Sequence, residues 1–200
     1  MKNIIESIQL KYSQKTIQSL CKKILKKHSL NSEGDIKNLH DLAFWLYIYE
    51  ENKAVTEVIN LTRDMSFNGK YTIWDYVHSM WALKARILRK AGKNKESWSI
   101  INSIIEHSLI PVKLCDTQEE MEKERNKELN NKKYEDIHYK ENIKTSFEEG
   151  DEKSAREWMF LSVSQLIRYK EEAAYPALIK IDNQIEKDIT EYIGILKMQQ

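Results

Sequence analysis

The chain has 200 residues, of which 41% are hydrophobic and 32% charged, with a formal net charge of +1. This size and balance suit one globular helical domain over 1–200 and exclude a disordered chain. Five glycines and two prolines are too few for the turns of an all-β fold, so an all-α fold is expected.

In chain order, Ile5, Ile8, Tyr12, Ile17, Leu20, Cys21, Ile24 and Leu25 predict one amphipathic helix over 3–28. Gly34 reads as a breaker and Asp35 as the N-cap of a helix from Ile36 to Glu50. The run Ala43–Tyr49 is apolar on every side, so this helix must pack on several faces. A short turn at Glu51–Lys53 leads to a helix carrying Val55, Val58 and Ile59, and Asn68-Gly69 signals a turn. Thr72 and Asp75 match a capping box before a long helix bearing Trp74, Val77, Met80, Trp81, Leu83 and Leu88. Gly92 ends it, and Trp98, Ile101, Ile104 and Ile105 stripe its partner up to Pro111. The segment 116–133 is rich in charge and poor in apolar residues, and reads as a mobile charged insertion. An exposed helix is predicted over Tyr134–Glu149, then a turn at Gly150-Asp151 and a helix with Ala155, Trp158, Met159 and Leu166. Pro176 opens a last helix, whose polar outer face suits the end of a helical array.

Cys21 and Cys115 have no metal-ligand spacing and read as reduced thiols of a cytoplasmic protein. No signal peptide is read at MKNIIESIQLKYSQ, and no apolar run approaches the roughly 20 residues of a spanning helix, so no membrane contact is expected. Charge is unevenly spread. Residues 1–30 carry Lys2, Lys11, Lys15, Lys22, Lys23, Lys26 and Lys27 against the single acid Glu6. Lys22/Lys26 and Lys23/Lys27 are like-charge pairs one helical turn apart, each costing a few tenths of a kcal/mol. A helix that tolerates them suits an acidic partner, although a solvated face is the plainer account.

The segment WALKARILRKAGKNKESWSIINSI, from Trp81 to Ile104, resembles a tetratricopeptide repeat. Trp81, Ala85, Leu88, Gly92 and Ser97 hold the family's large, small, large, turn and small places. Ala54 and Ala155 echo the small position in two weaker units, although the separations are irregular and exceed the family's ~34-residue period. The resemblance implies antiparallel helical hairpins, stacked in a tetratricopeptide-like or compact right-handed array. It also implies that Ser79, Arg86, Arg89 and Lys90 face a concave side. A basic patch there would hold an acidic peptide or a terminal carboxylate.

Catalytic patterns are sparse. Glu135-x-x-His138 is half of a di-iron carboxylate motif and has no second copy. His40-Asp41 is similar to the adjacent pair of HD-type metal phosphohydrolases, without that family's flanking ligands. The five tryptophans lie on apolar stripes and read as core, with Trp74, His78 and Trp81 on one face. The sequence therefore predicts a non-enzymatic module without cofactor or metal. Its expected partner is a protein or peptide of acidic character, held by Lys22, Lys23, Lys26 and Lys27 and by the patch at Ser79, Arg86, Arg89 and Lys90. Nucleic acid is not expected, because the whole chain is nearly neutral. The alternatives are an immunity protein that neutralises a toxin and a metal-dependent phosphohydrolase.

Overall fold

Three helix ends in this chain carry the same hydrogen-bond signature, and they set its architecture. At Gly92 the amide of Lys93 donates to Leu88 O at 2.9 Å and that of Gly92 to Arg89 O at 3.0 Å. At Gly150 the same pair runs from Asp151 to Ser146 and from Gly150 to Phe147. At Glu50 it runs from Glu51 to Leu46 and from Glu50 to Tyr47. This is the Schellman closure, which needs a left-handed residue just past the helix. The φ angles are 76° at Gly92, 74° at Gly150 and 66° at Glu50, the last without a glycine. Each closure turns the chain back into a second helix, and each second helix buries a small residue early: Ala54, Ser97 and Ala155 are at most 6% exposed.

The computed structural model describes residues 1–27, 32–65, 71–108, 136–172 and 182–198. Among these the fold is all-α, with nine α-helices and no strand. They are α1 (Lys2–Lys11), α2 (Lys15–Leu25), α3 (Glu33–Ile48), α4 (Asn52–Ile59, continued by a 3-10 turn at Asn60–Thr62), α5 (Tyr71–Lys90), α6 (Asn94–Ser108), α7 (Asp136–Glu148), α8 (Glu152–Glu172) and α9 (Asp182–Met198). Hairpins α1–α2, α3–α4, α5–α6 and α7–α8 follow one another. The long helices α3, α5 and α8 pack in sequence, α2 lies on α3, and α9 lies on α8 and touches α3. The expected packing of α3 on several faces is met by α2, α4 and α5. One apolar core runs through Ile17, Leu39, Phe44, Val58, Val77, Val163, Ile167 and Ile189. A smaller cluster of Ala82, Ala85, Ile101 and Ile104 seals α5 to α6. Ala85 is fully buried and its carbonyl accepts from Ser97 Oγ at 2.9 Å, so small residues set the closeness of this hairpin.

Several boundaries differ from the sequence reading. The predicted helix over 3–28 is two helices. The step from Tyr12 to Ile17 is five residues, and there the chain turns extended, with Tyr12 ψ at 124°. Tyr12 is anchored by its hydroxyl, which donates to Glu51 at 2.8 Å, and Gln18 Nε2 donates to Tyr12 O at 2.6 Å. The N-cap of α3 is Ser32, with Asp35 as the third residue of a reciprocal capping box and Gly34 inside the first turn. Thr72 and Asp75 form no capping box: both lie within α5, and their side chains reach Glu33 and Arg168. Trp98 departs from the core reading, being 44% exposed. Asn68-Gly69, Pro111, Cys115, the 116–133 insertion and Pro176 lie outside the described residues.

The left-handed positions give opposite expectations. A Cβ at Gly92 would meet nothing within 4 Å, so Gly92→Ala adds only backbone strain, a loss of about 1 kcal/mol in urea unfolding. Glu50→Gly relieves the same strain and is expected not to lower stability, since its exposed ion pair with Lys197 contributes little.

Candidate functional site

Arg86 is the residue around which the charged groups of this protein assemble. It sits one turn before the end of α5, on the side facing α3, α8 and α9, and is 1% exposed. A guanidinium cannot discharge itself, so burial obliges the fold to surround it with acceptors. Its Nε donates to Tyr47 Oη at 2.8 Å, Nη1 to Glu171 at 3.3 Å and Nη2 to Glu186. Burial alone would lower its pKa, but Tyr47 and Glu186 outweigh that and raise it. Glu171, itself 2% exposed, also takes a bidentate fork from Arg89, through Nε at 2.9 Å and Nη2 at 2.6 Å. Glu186 further accepts from Lys170 at 2.6 Å and faces Lys90 at 3.3 Å. Burial pushes the Glu186 carboxyl up, yet Arg86 and Lys170 draw it down to about 2.

This geometry revises the expected basic patch. Ser79 is 2% exposed and Arg86 is an interior group, so neither offers a head to a partner from an open face. The reason is that α5 is covered by α3, α6 and α8 rather than by one neighbour. Arg89 and Lys90, at the helix end, keep 38% and 51% of their side-chain surface. Sequence reasoning missed Tyr47, Glu171 and Glu186. A signal existed for Glu171, which continues the buried 163, 167 register of α8 by one further turn.

The His40-Asp41 pair lies in a second polar cluster. His40 is 3% exposed; its Nδ1 donates to Asp41 at 2.9 Å and its Nε2 accepts from Ser164 Oγ at 2.8 Å. Asp41 also accepts from Lys37 at 2.6 Å. The order of serine, histidine and aspartate matches an acyl-transfer relay, but the ring is enclosed by Phe44, Tyr76 and Phe160. Both ring nitrogens are taken by protein groups, which leaves neither turned toward a metal. Burial lowers the His40 pKa, against the pull of Asp41. Burial would raise the Asp41 carboxyl, yet His40 and Lys37 bring it down. Cys21 is likewise interior, its thiol pushed up to about 11 by burial.

Trp74, His78 and Trp81 do share a face, and His107 of α6 closes on them. Its ring centroid is 4.7 Å from Trp74, 5.8 Å from His78 and 5.3 Å from Trp81. Trp81 Nε1 donates to Thr62 at 3.3 Å. The group packs as a core cluster of rings. Asp75 turns away to Arg168 at 3.1 Å, and Glu135 and the His138 side chain lie outside the described residues. Among the described residues no three histidine, cysteine or carboxylate side chains converge in a metal-binding group.

The N-terminal lysines stand apart from these interior clusters. Ile17, Leu20, Cys21 and Ile24 bury one side of α2, and Lys15, Lys22, Lys23, Lys26 and Lys27 are exposed. Lys27 reaches Asp35 at 3.8 Å, and Lys11 reaches Glu51 at 3.9 Å. Among the described residues, Lys15, Lys22, Lys23 and Lys26 make no ion pair.

Two expectations follow. Arg86→Met strands Glu171 in the interior with Arg89 alone, and is expected to cost about 3 kcal/mol in denaturant unfolding. Burial lowers the His40 pKa in the folded chain, so on acidification the unfolded chain takes up the proton first; the contribution of His40 is complete above the ordinary imidazole pKa of 6.5 and is lost as pH falls below it. His40→Gln should flatten the fall in stability between neutral and mildly acidic pH. His107, also lowered by burial, should retain part of the slope.

No curated protein and no solved structure matches the chain significantly. No helix among the described residues is long and apolar enough to cross a membrane. The family described as "Family of unknown function (DUF6707)" matches residues 1–197, nearly the whole chain, and the protein belongs to that family.

Proposed function

We propose that this protein is a non-catalytic, cytoplasmic binding module that docks an acidic protein partner on its helical-hairpin surface, with the lysine face of α2 as the main contact. The observation that carries the reading is the contrast between two sets of polar groups. The interior groups that could serve chemistry, His40, Asp41 and Ser164, are bound to one another, and Arg86 has protein acceptors on all three nitrogens. Lys15, Lys22, Lys23 and Lys26 have no such partners among the described residues. Lys22, Lys23 and Lys26 crowd the C-terminal end of α2, where the helix dipole favours cations and offsets part of their repulsion, and an acidic surface would complement the charge that remains exposed.

The three Schellman hairpins, each with its buried small residue, support reading the fold as a degenerate tetratricopeptide-like array. Such arrays present broad helical faces to partners. Concentrated lysine charge also speeds capture of an acidic partner, which suits an immunity protein that neutralises a toxin. That is a special case of the same module. The metal-dependent phosphohydrolase reading draws less support, because His40 is engaged at both nitrogens.

The test is isolation of the tagged protein from its native cells at low salt, with a variant carrying Lys22→Glu, Lys23→Glu and Lys26→Glu processed in parallel. One protein is expected in stoichiometric amount with the native chain, and about tenfold less of it with the variant, at unchanged melting temperature. Equal recovery on both chains, or no stoichiometric protein, would reject the proposal.

A further inference from the structure

Lys84 is held differently from the other bonded lysines of this protein. It stands on α5, partly buried, and its Nζ donates at 2.7 Å to Oδ1 of Asn60, in the 3-10 turn that continues α4. Lys37, Lys140 and Lys197 donate instead to carboxylates, those of Asp41, Asp188 and Glu50. Asn60 is neutral, so it satisfies an N–H of Lys84 without balancing its charge. Arg63, which closes the same turn and is exposed, brings a second positive charge to Lys84. Glu96 of α6 faces Lys84 more weakly and pairs with Lys93 at 3.8 Å. Burial, and after it Arg63, lower the Lys84 pKa against the pull of Glu96. The uncharged amine, which is the nucleophilic form, is favoured accordingly. An amide formed on this nitrogen keeps one N–H, which can still donate to Asn60, and no longer sets a charge against Arg63. At Lys37 the same change would break an ion pair with Asp41.

We infer that Lys84 is an acylation site, where the side-chain amine takes the acyl group of an activated donor, a thioester or an acyl phosphate. The Lys84 nitrogen attacks the donor carbonyl and a C–N bond forms. The C–S or C–O bond to the leaving group breaks, and a thiolate or phosphate departs with the bonding electrons. The surplus proton on nitrogen passes to solvent. Arg63 is a positioning residue in the electrostatic sense: it does not touch the acyl carbon, but its charge disfavours the ammonium form. The product takes one positive charge from the surface where α4 meets α5 and keeps the bond to Asn60, so the modification alters what that surface attracts and not how the helices pack. The lysine face of α2 plays no part, so this inference and the docking reading can fail separately.

The experiment incubates the full chain at mildly alkaline pH with acetyl phosphate, and separately with acetyl-coenzyme A. Acetylation at each lysine is followed with time by peptide mass spectrometry. Lys53 and Lys95, both exposed, serve as references within the same chain. Lys84 is expected to react about threefold faster than either with at least one donor, and Arg63→Gln to reduce that lead. Arg63 is exposed, so the melting temperature of Arg63→Gln reports that the fold is kept. A lead with acetyl phosphate alone assigns an acyl phosphate, one with acetyl-coenzyme A alone a thioester, and one with both a donor of either kind. Reaction of Lys84 no faster than that of Lys53 and Lys95 with both donors overturns the inference, as does a lead that Arg63→Gln leaves unchanged.

Discussion

A guanidinium that cannot shed its charge lies in the middle of this protein, and four helices are arranged to keep it. Arg86 comes from α5, its acceptors from α3, α8 and α9. Apolar packing alone would tolerate a slide of one helix past another, since leucine and isoleucine surfaces are forgiving. Three directed hydrogen bonds from one planar group are not. They tie the last two helices, far along the chain, to the centre of the first half. The long-range bonds from Lys140 to Asp188 and from Arg168 to Asp75 tighten the same assembly. An ion cluster of this kind adds little net stability over a well-packed apolar substitute, but it penalises every arrangement in which a partner is missing. Here its effect is to specify where α8 and α9 sit.

Much of this architecture was legible in the sequence because it rests on local rules. The stripes of α5, α6 and α8, the glycine turns at Gly92 and Gly150, and the small residues Ala54, Ser97 and Ala155 are all set within a few residues of one another. The breaks that were misread come from contacts between distant segments. The 3–28 stripe breaks between Tyr12 and Ile17, where the apolar step lengthens to five residues, and the bond from the Tyr12 hydroxyl to Glu51 anchors the bend from a distant segment. Glu50 takes a left-handed turn that usually marks itself with glycine, so the α3–α4 closure carries no glycine signal. Tetratricopeptide resemblance pointed to Arg86 as a surface group for the same reason: a single repeat cannot show that α3, α8 and α9 close over it.

The candidate sites follow the same division. The lysine face of α2 could be read directly, since exposure on the far side of an apolar stripe is a local property. The interior clusters could not, because each joins residues far apart, His40 with Ser164 and Arg86 with Glu171 and Glu186. What these clusters share is that polar groups inside the protein satisfy one another. The lysines of α2 retain donors that the described residues leave unused. The interior polar groups hold the helices together.

The central claim is that Arg86 joins the two halves of the chain through its carboxylates. A double-mutant cycle on Arg86→Met and Glu186→Gln, followed by urea unfolding, tests it most directly. The account predicts a coupling energy above about 1 kcal/mol, with the double variant less destabilised than the sum of the two singles. Additive effects would contradict it, and would mean that α9 is held by its apolar packing and its other ion pairs.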